Sequence, residues 1–149
     1  MGNYHYATFR IFALVIILML SCSVLSMVHQ NKQKAERYYK RGHDLQMSGY
    51  LFQAYDYYTE AIYFDRHHIK AYMNRGLVAK QLGYYWDAVD DFNRVILLSD
   101  DASHLHQAYH NRGVLFLRLD DRNRACRSFR KAMLSGSDHS LFPLFIYCN

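Results

Sequence analysis

The chain has 149 residues, a net charge of +5 with histidine neutral, and a single proline, Pro143. That length can bury one worthwhile core, the scarcity of proline permits long uninterrupted helices, and the charge alone does not call for nucleic acid. Cys22, Cys126 and Cys148 form no Cys-x-x-Cys pair, which removes readable zinc and thioredoxin-type sites.

Residues 1–10 read as an N-terminal tail. From Ile11 to Val28 there is no charged residue. Eighteen residues at ~1.5 Å rise span about 27 Å, close to the hydrocarbon thickness of a bilayer. Two readings stand: an uncleaved anchor through Val28, or a cleaved signal with Arg10 ahead of a ten-residue apolar heart and Ser21, Ser23 and Ser26 behind it. Leu20-Ser21-Cys22 also has the outline of a lipoprotein signal, making an exported lipoprotein or periplasmic assembly factor the alternative. The apolar run continues through Val24, Leu25, Met27 and Val28, where a lipoprotein turns polar, and this favours the anchor. Positive charge in 29–41 argues for repeats in the cytoplasm. The general arrangement, an apolar N-terminus before a folded domain, argues for export, and export is the reading taken. Residues 29–34 form a basic linker, or else a helical continuation, because Phe9 to Arg41 contains neither glycine nor proline.

Beyond Ala35 the chain repeats itself. Tyr38, Gly42, Gly49, Ala54, Tyr58 and Ala61 recur 34 residues on as Tyr72, Gly76, Gly83, Ala88, Phe92 and Val95. Tyr109, Gly113, Ala125, Phe129 and Ala132 follow after a step of 37. Such periods mean stacked copies of one small unit. Ala54, Tyr58, Ala61 and Ile62 form one helical stripe, as do Ala88, Phe92, Val95 and Ile96, and then Ala125, Phe129, Ala132 and Met133. Gly42, Gly76 and Gly113 lie inside helices, where glycine costs ~1 kcal/mol relative to alanine, and close helix–helix approach is the expected compensation. Gly49 and Gly83 read as helix-terminating turns.

This pattern resembles the tetratricopeptide repeat (TPR), with repeats at 35–68, 69–102 and 106–139. The resemblance implies an all-α fold: three stacked helical hairpins in a right-handed α-solenoid, preceded by one N-terminal transmembrane or signal helix. There are departures. The usual leucine at position 7 is Arg41, Arg75 and Arg112, the late proline is absent, and Asp120 stands where the other copies have glycine. The extra residues around Asp100-Asp101-Ala102-Ser103 are expected to lengthen a turn.

The resemblance implies a concave groove lined by the first helix of each repeat. Carried over, it takes Tyr39, His43 and Met47 from repeat one. Repeat two gives Met73, Asn74, Leu77 and Lys80, and repeat three His110, Val114, Leu117 and Arg118. These suit a peptide held by apolar anchors, with Lys80 and Arg118 available to a carboxylate. Some relatives clamp a chaperone's C-terminal carboxylates. Here Tyr39, His43, Gln107 and Asn111 occupy most of those places and only Asn74 matches, which disfavours that role.

Other chemistry is thin. His106 and His110 share a helix face at a metal-ligand spacing, but no nearby acid or cysteine completes a set, so no metal or cofactor is expected. Asp90-Asp91 and Asp120-Asp121 read as helix surface or caps, with Asp121 capping the helix that starts near Arg122. His67-His68 is turn punctuation. Cys126 reads as a packed thiol, a bridge to Cys148 being the alternative in an oxidising compartment. Arg127, Arg130 and Lys131 form a basic face, either solvated or in contact with anionic lipid or an acidic partner; RNA is the weaker option because no aromatic platform accompanies them. Residues 140–149, with Leu141-Phe142-Pro143-Leu144-Phe145-Ile146-Tyr147, form an apolar tail expected to fold on the last hairpin. The expected function is a non-catalytic, membrane-associated adaptor. A small metal- or nucleic-acid-binding regulator is the rival of another class, and an enzyme is not expected.

Overall fold

The computed structural model describes residues 2–136, Ile146 and Cys148, with side chains from residue 19 onward. The described residues form six helices: α1 Gly2–Met47, α2 Leu51–Phe64, α3 Ile69–Leu82, α4 Tyr85–Leu98, α5 Ala102–Arg118 and α6 Arg122–Leu134. They contain no strand. Each helix packs on its neighbours in the chain, and α1 also touches α3, so the hairpins α1–α2, α3–α4 and α5–α6 stack in sequence order.

The core follows the stripe of each second helix. Ala54, Tyr58 and Ala61, then Ala88, Phe92 and Val95, then Ala125, Phe129 and Ala132 have no exposed surface. The helical glycines sit opposite their aromatics. A Cβ on Gly42 would lie 3.0 Å from the Tyr58 ring, one on Gly76 3.1 Å from Phe92, and one on Gly113 2.6 Å from Phe129. Absence of a side chain therefore lets each ring lie against the partner helix backbone, and the packing offsets the poor helix propensity of glycine.

The turns repeat as faithfully. Gly49 and Gly83 have φ of 82°, and Asp120, in register with them, has φ of 57°. Each is followed by an amide that reaches back across the helix end: Tyr50 to the Leu45 carbonyl at 2.9 Å, Tyr84 to Ala79 at 2.8 Å and Asp121 to Phe116 at 2.8 Å. Aspartate tolerates the left-handed region better than most side chains, so the glycine departure is accommodated. Asp121 caps α6, its Oδ1 accepting from the Arg124 amide at 2.7 Å.

Position 7 explains the second departure. The Arg75 guanidinium donates to both Asp91 oxygens at 2.9 and 2.7 Å and to Thr59 Oγ1 at 3.1 Å. Arg112 does the same one step on, reaching Ser128 at 3.2 Å and Asn93 at 2.6 Å. Each arginine ties its own second helix to the second helix of the preceding hairpin. Arg41 has no preceding hairpin and is exposed.

Several expectations are corrected. Of the two forms expected for residues 29–34, the helical continuation is the one present and the linker is not, because nothing between Phe9 and Arg41 breaks the helix and α1 runs unbroken into the first hairpin. The extra residues before repeat three do not lengthen a turn. Asp101 caps α5 by accepting from the His104 amide at 2.9 Å, and α5 is 17 residues long where α3 has 14. Asp91 is not surface: it is 2% exposed and paired with Arg75. His68 is more than punctuation. Its ring accepts from the Ala71 amide at 3.2 Å, capping α3, and lies 3.4 Å from Glu36. Cys126 is not a free thiol but is bonded to Cys148, which packs against the core. The apolar tail apart from Ile146 and Cys148, and the end of repeat three, lie outside the described residues. Among the residues whose side chains are described, from 19 onward, no helix is long and apolar enough to cross a membrane.

Candidate functional site: the concave groove

The first helices α1, α3 and α5 meet through polar pairs that couple successive hairpins. Asn74 on α3 donates to the hydroxyls of Tyr39 on α1 and Tyr58 on α2, both at 3.3 Å. Tyr58 in turn donates to Gln46 Oε1 at 2.6 Å. Burial keeps the phenols protonated, pushing Tyr39 up and Tyr58 up to about 12. Further along, Lys80 on α3 donates to Asn111 Oδ1 on α5 at 2.7 Å, while the Asn111 amide donates to the Gln107 carbonyl at 2.9 Å. Burial pulls the Lys80 ammonium below its ordinary range.

The sequence-predicted residues fall into three groups along the first helices. At the α1 end, the Tyr39 and His43 rings lie 6.4 Å apart, with His43 exposed. Met47 is 76% exposed at the last turn of α1. In the middle, Leu77 is half-buried, but Met73 is 5% exposed and belongs to the core, so it is not available to a ligand without repacking. At the open end, His110, Val114, Leu117 and Arg118 line one cavity of about 500 Å³. Asp120, Arg122 and Phe129 complete it. Sequence reasoning omitted Asp120 and Arg122 because they come from the turn and from α6 rather than from a first helix.

The wall of this cavity is apolar at Val114, Leu117 and Phe129, with Arg118 and Arg122 opposed by Asp120 in sign. The His110 ring meets Phe129 edge-on at 5.7 Å. His106 turns away from metal chemistry: its Nδ1 lies 3.0 Å from the Ala132 carbonyl, to which it can donate. Among the described residues no group of three His, Cys, Asp or Glu could hold a metal ion. Arg127, Arg130 and Lys131 are exposed on α6, and the Lys131 ammonium lies 5.5 Å from the centre of the Tyr109 ring.

The family model for the tetratricopeptide repeat matches residues 69–101 and 106–134. Those two stretches are thus tetratricopeptide repeats, and the hairpin α1–α2 stacks ahead of them in the same order. It is 30% identical over 104 residues to DnaJ homolog subfamily C member 7 of Mus musculus, covering 68% of this chain and 20% of that protein. It is also 31% identical over 75 residues to an uncharacterised protein of Methanocaldococcus jannaschii, covering 50% of this chain and 87% of that one. The chain thus spans about a fifth of the length of the mouse relative. Among solved structures it resembles the second TPR of Spaghetti (RPAP3) bound to the HSP90 peptide SRMEEVD. That likeness has 28% identity and a TM-score of 0.64, covering 70% of this chain and 94% of that one.

Proposed function

We propose that this protein is a non-catalytic adaptor that holds a peptide of a partner protein in the concave groove, tethered to a membrane through residues 11–28. The observation that carries the reading is the open cavity of about 500 Å³, apolar at Val114 and Leu117 and rimmed by Arg118 and Arg122, on the face built by the first helices. The likeness to a TPR domain that binds a peptide supports it. The ligand favoured is not a carboxylate-ended chaperone peptide. Tyr39 and His43 stand where that clamp needs other side chains, Asn74 is engaged by two tyrosines, and Lys80 is engaged by Asn111.

In this reading the repeats lie on an oxidising, non-cytoplasmic side. The Cys126–Cys148 bond supports that side, since such bonds persist where thiols are not kept reduced. The unbroken α1 brings the first hairpin within a few turns of residue 28, close to the membrane surface. Arg127, Arg130 and Lys131 would then be available to anionic headgroups.

Photo-crosslinking residues placed at His43 and Arg118, both exposed, test the groove in native membranes, with Arg130 on α6 as the comparison. Adducts with a partner are expected from His43 and Arg118 and not from Arg130. Adducts from Arg130 alone would move the site to the other face, and tight one-to-one binding of SRMEEVD would overturn the exclusion of the chaperone peptide.

A further inference from the structure

A second cavity, of about 320 Å³, lies away from the groove, between the second helices α2 and α4 and over α3. Ile62 and Tyr72 are buried beneath it, and Tyr63, 71% exposed, stands at its rim. Three arginines line it, Arg66 from the α2–α3 turn, Arg75 from α3 and Arg94 from α4, and no carboxylate does. Arg75 is committed to Asp91 and Thr59. Arg66 and Arg94 are exposed, and none of the ion pairs among the described residues involves either.

The repeat supplies its own comparison. One step along, the matching positions between α4 and α6 are Asn93, Ile96, Leu97, Asp100, Tyr109, Arg112 and Lys131. Asp100 stands in the place of Arg66, Leu97 in the place of Tyr63, and the Lys131 ammonium lies near the Tyr109 ring. The shared framework of isoleucine, tyrosine and bridging arginine is structural. What sets the first groove apart is a pair of unmatched guanidiniums and an aromatic rim.

We propose that this groove binds an organic phosphate monoester, its phosphate held between Arg66 and Arg94 and its aromatic or apolar body against Tyr63, Ile62 and Tyr72. Guanidinium forks match tetrahedral oxyanions in two-point contact, and a phosphate monoester is close to a dianion at pH 7, which balances two cations. The cavity is larger than a bare phosphate fills, and Ile62, Tyr63 and Tyr72 line it beside Thr59, so a body next to the phosphate has an apolar and aromatic surface to lie against. The site is separate from the peptide groove and stands or falls independently of it.

The test is calorimetric titration of the full chain with phenyl phosphate and, separately, inorganic phosphate. Saturable binding is expected, with phenyl phosphate preferred by at least about tenfold because the rim contributes only to the ester. Arg66→Asp, which installs the residue of the second groove, and Arg94→Ala should each weaken binding about tenfold or more, while Lys131→Ala leaves it unchanged. Far-UV circular dichroism accompanies each variant. Should either arginine variant lose helicity, Tyr63→Ser, at an exposed site, must abolish the preference for phenyl phosphate. Undiminished binding in Arg66→Asp and Arg94→Ala, equal weakening in Lys131→Ala, a preference for inorganic phosphate, or no saturation overturns the proposal.

Discussion

Replacing Gly113 by alanine sets two effects of known size against each other. In a helix interior, alanine is favoured over glycine by ~1 kcal/mol. Against this, the new Cβ would lie 2.6, 2.7 and 2.9 Å from Cε1, Cδ1 and Cζ of Phe129, a residue with no exposed surface. Carbon atoms rest at about 3.5–4.0 Å, so the ring or the helix must retreat by roughly 1 Å. Overpacking on that scale costs about 1–3 kcal/mol. The net expectation for Gly113→Ala is a loss of roughly 1 kcal/mol, read as a lower urea midpoint of the full chain by circular dichroism. Gly42→Ala and Gly76→Ala meet their rings at 3.0 and 3.1 Å, where a smaller displacement suffices, so the two effects should nearly cancel. Phe129→Leu supplies the control. With the ring gone, adding Gly113→Ala should stabilise the Leu variant, giving a coupling of about 1 kcal/mol or more in the double-mutant cycle. The reasoning is refuted if Gly113→Ala stabilises the parent chain by the full propensity gain, or if its cost is unchanged in the Phe129→Leu background.

The bridging arginine can be tested by deletion and compensation. Arg75→Met strands Asp91, whose side chain is 3% exposed, and should cost about 3 kcal/mol, whereas Arg75→Met with Asp91→Leu should recover most of the loss. Equal losses in the single and double variants would mean that the pair is incidental. The buried phenol predicts an alkaline effect. Tyr58 is pushed up to about 12 when folded, from 10.0, so its stabilising contribution is complete below pH 10 and is lost as pH rises from 10 to about 12. Tyr58→Phe should flatten the fall of the urea midpoint above about pH 10, and an unaltered slope would assign that fall to other groups. Without reductant, a maleimide should label Cys22 alone on the unfolded chain, and all three cysteines after reduction; three labels before reduction would remove the Cys126–Cys148 bond and the support it lends to an oxidising location.

Much of the architecture was legible because repetition exposes it. A position that recurs at fixed phase, such as Gly42, Gly76 and Gly113 against Tyr58, Phe92 and Phe129, betrays a contact without coordinates, since one helix crossing explains all three. The groove was legible only as a face. Which of its residues remain accessible depends on how far each first helix sinks into the stack, and this placed Met73 in the core and added Asp120 and Arg122 to the open cavity.

The chain's own order of residues determined the helices, their stripes and their left-handed turns, because those depend on neighbours three and four positions away. Only the folded arrangement decided the pairing of Arg75 with Asp91, the bond between Cys126 and Cys148, and the absorption of the three extra residues by α5. The partners in such pairs lie 16 and 22 residues apart. No local periodicity links them, and they meet only because stacking brings separate helices to one place.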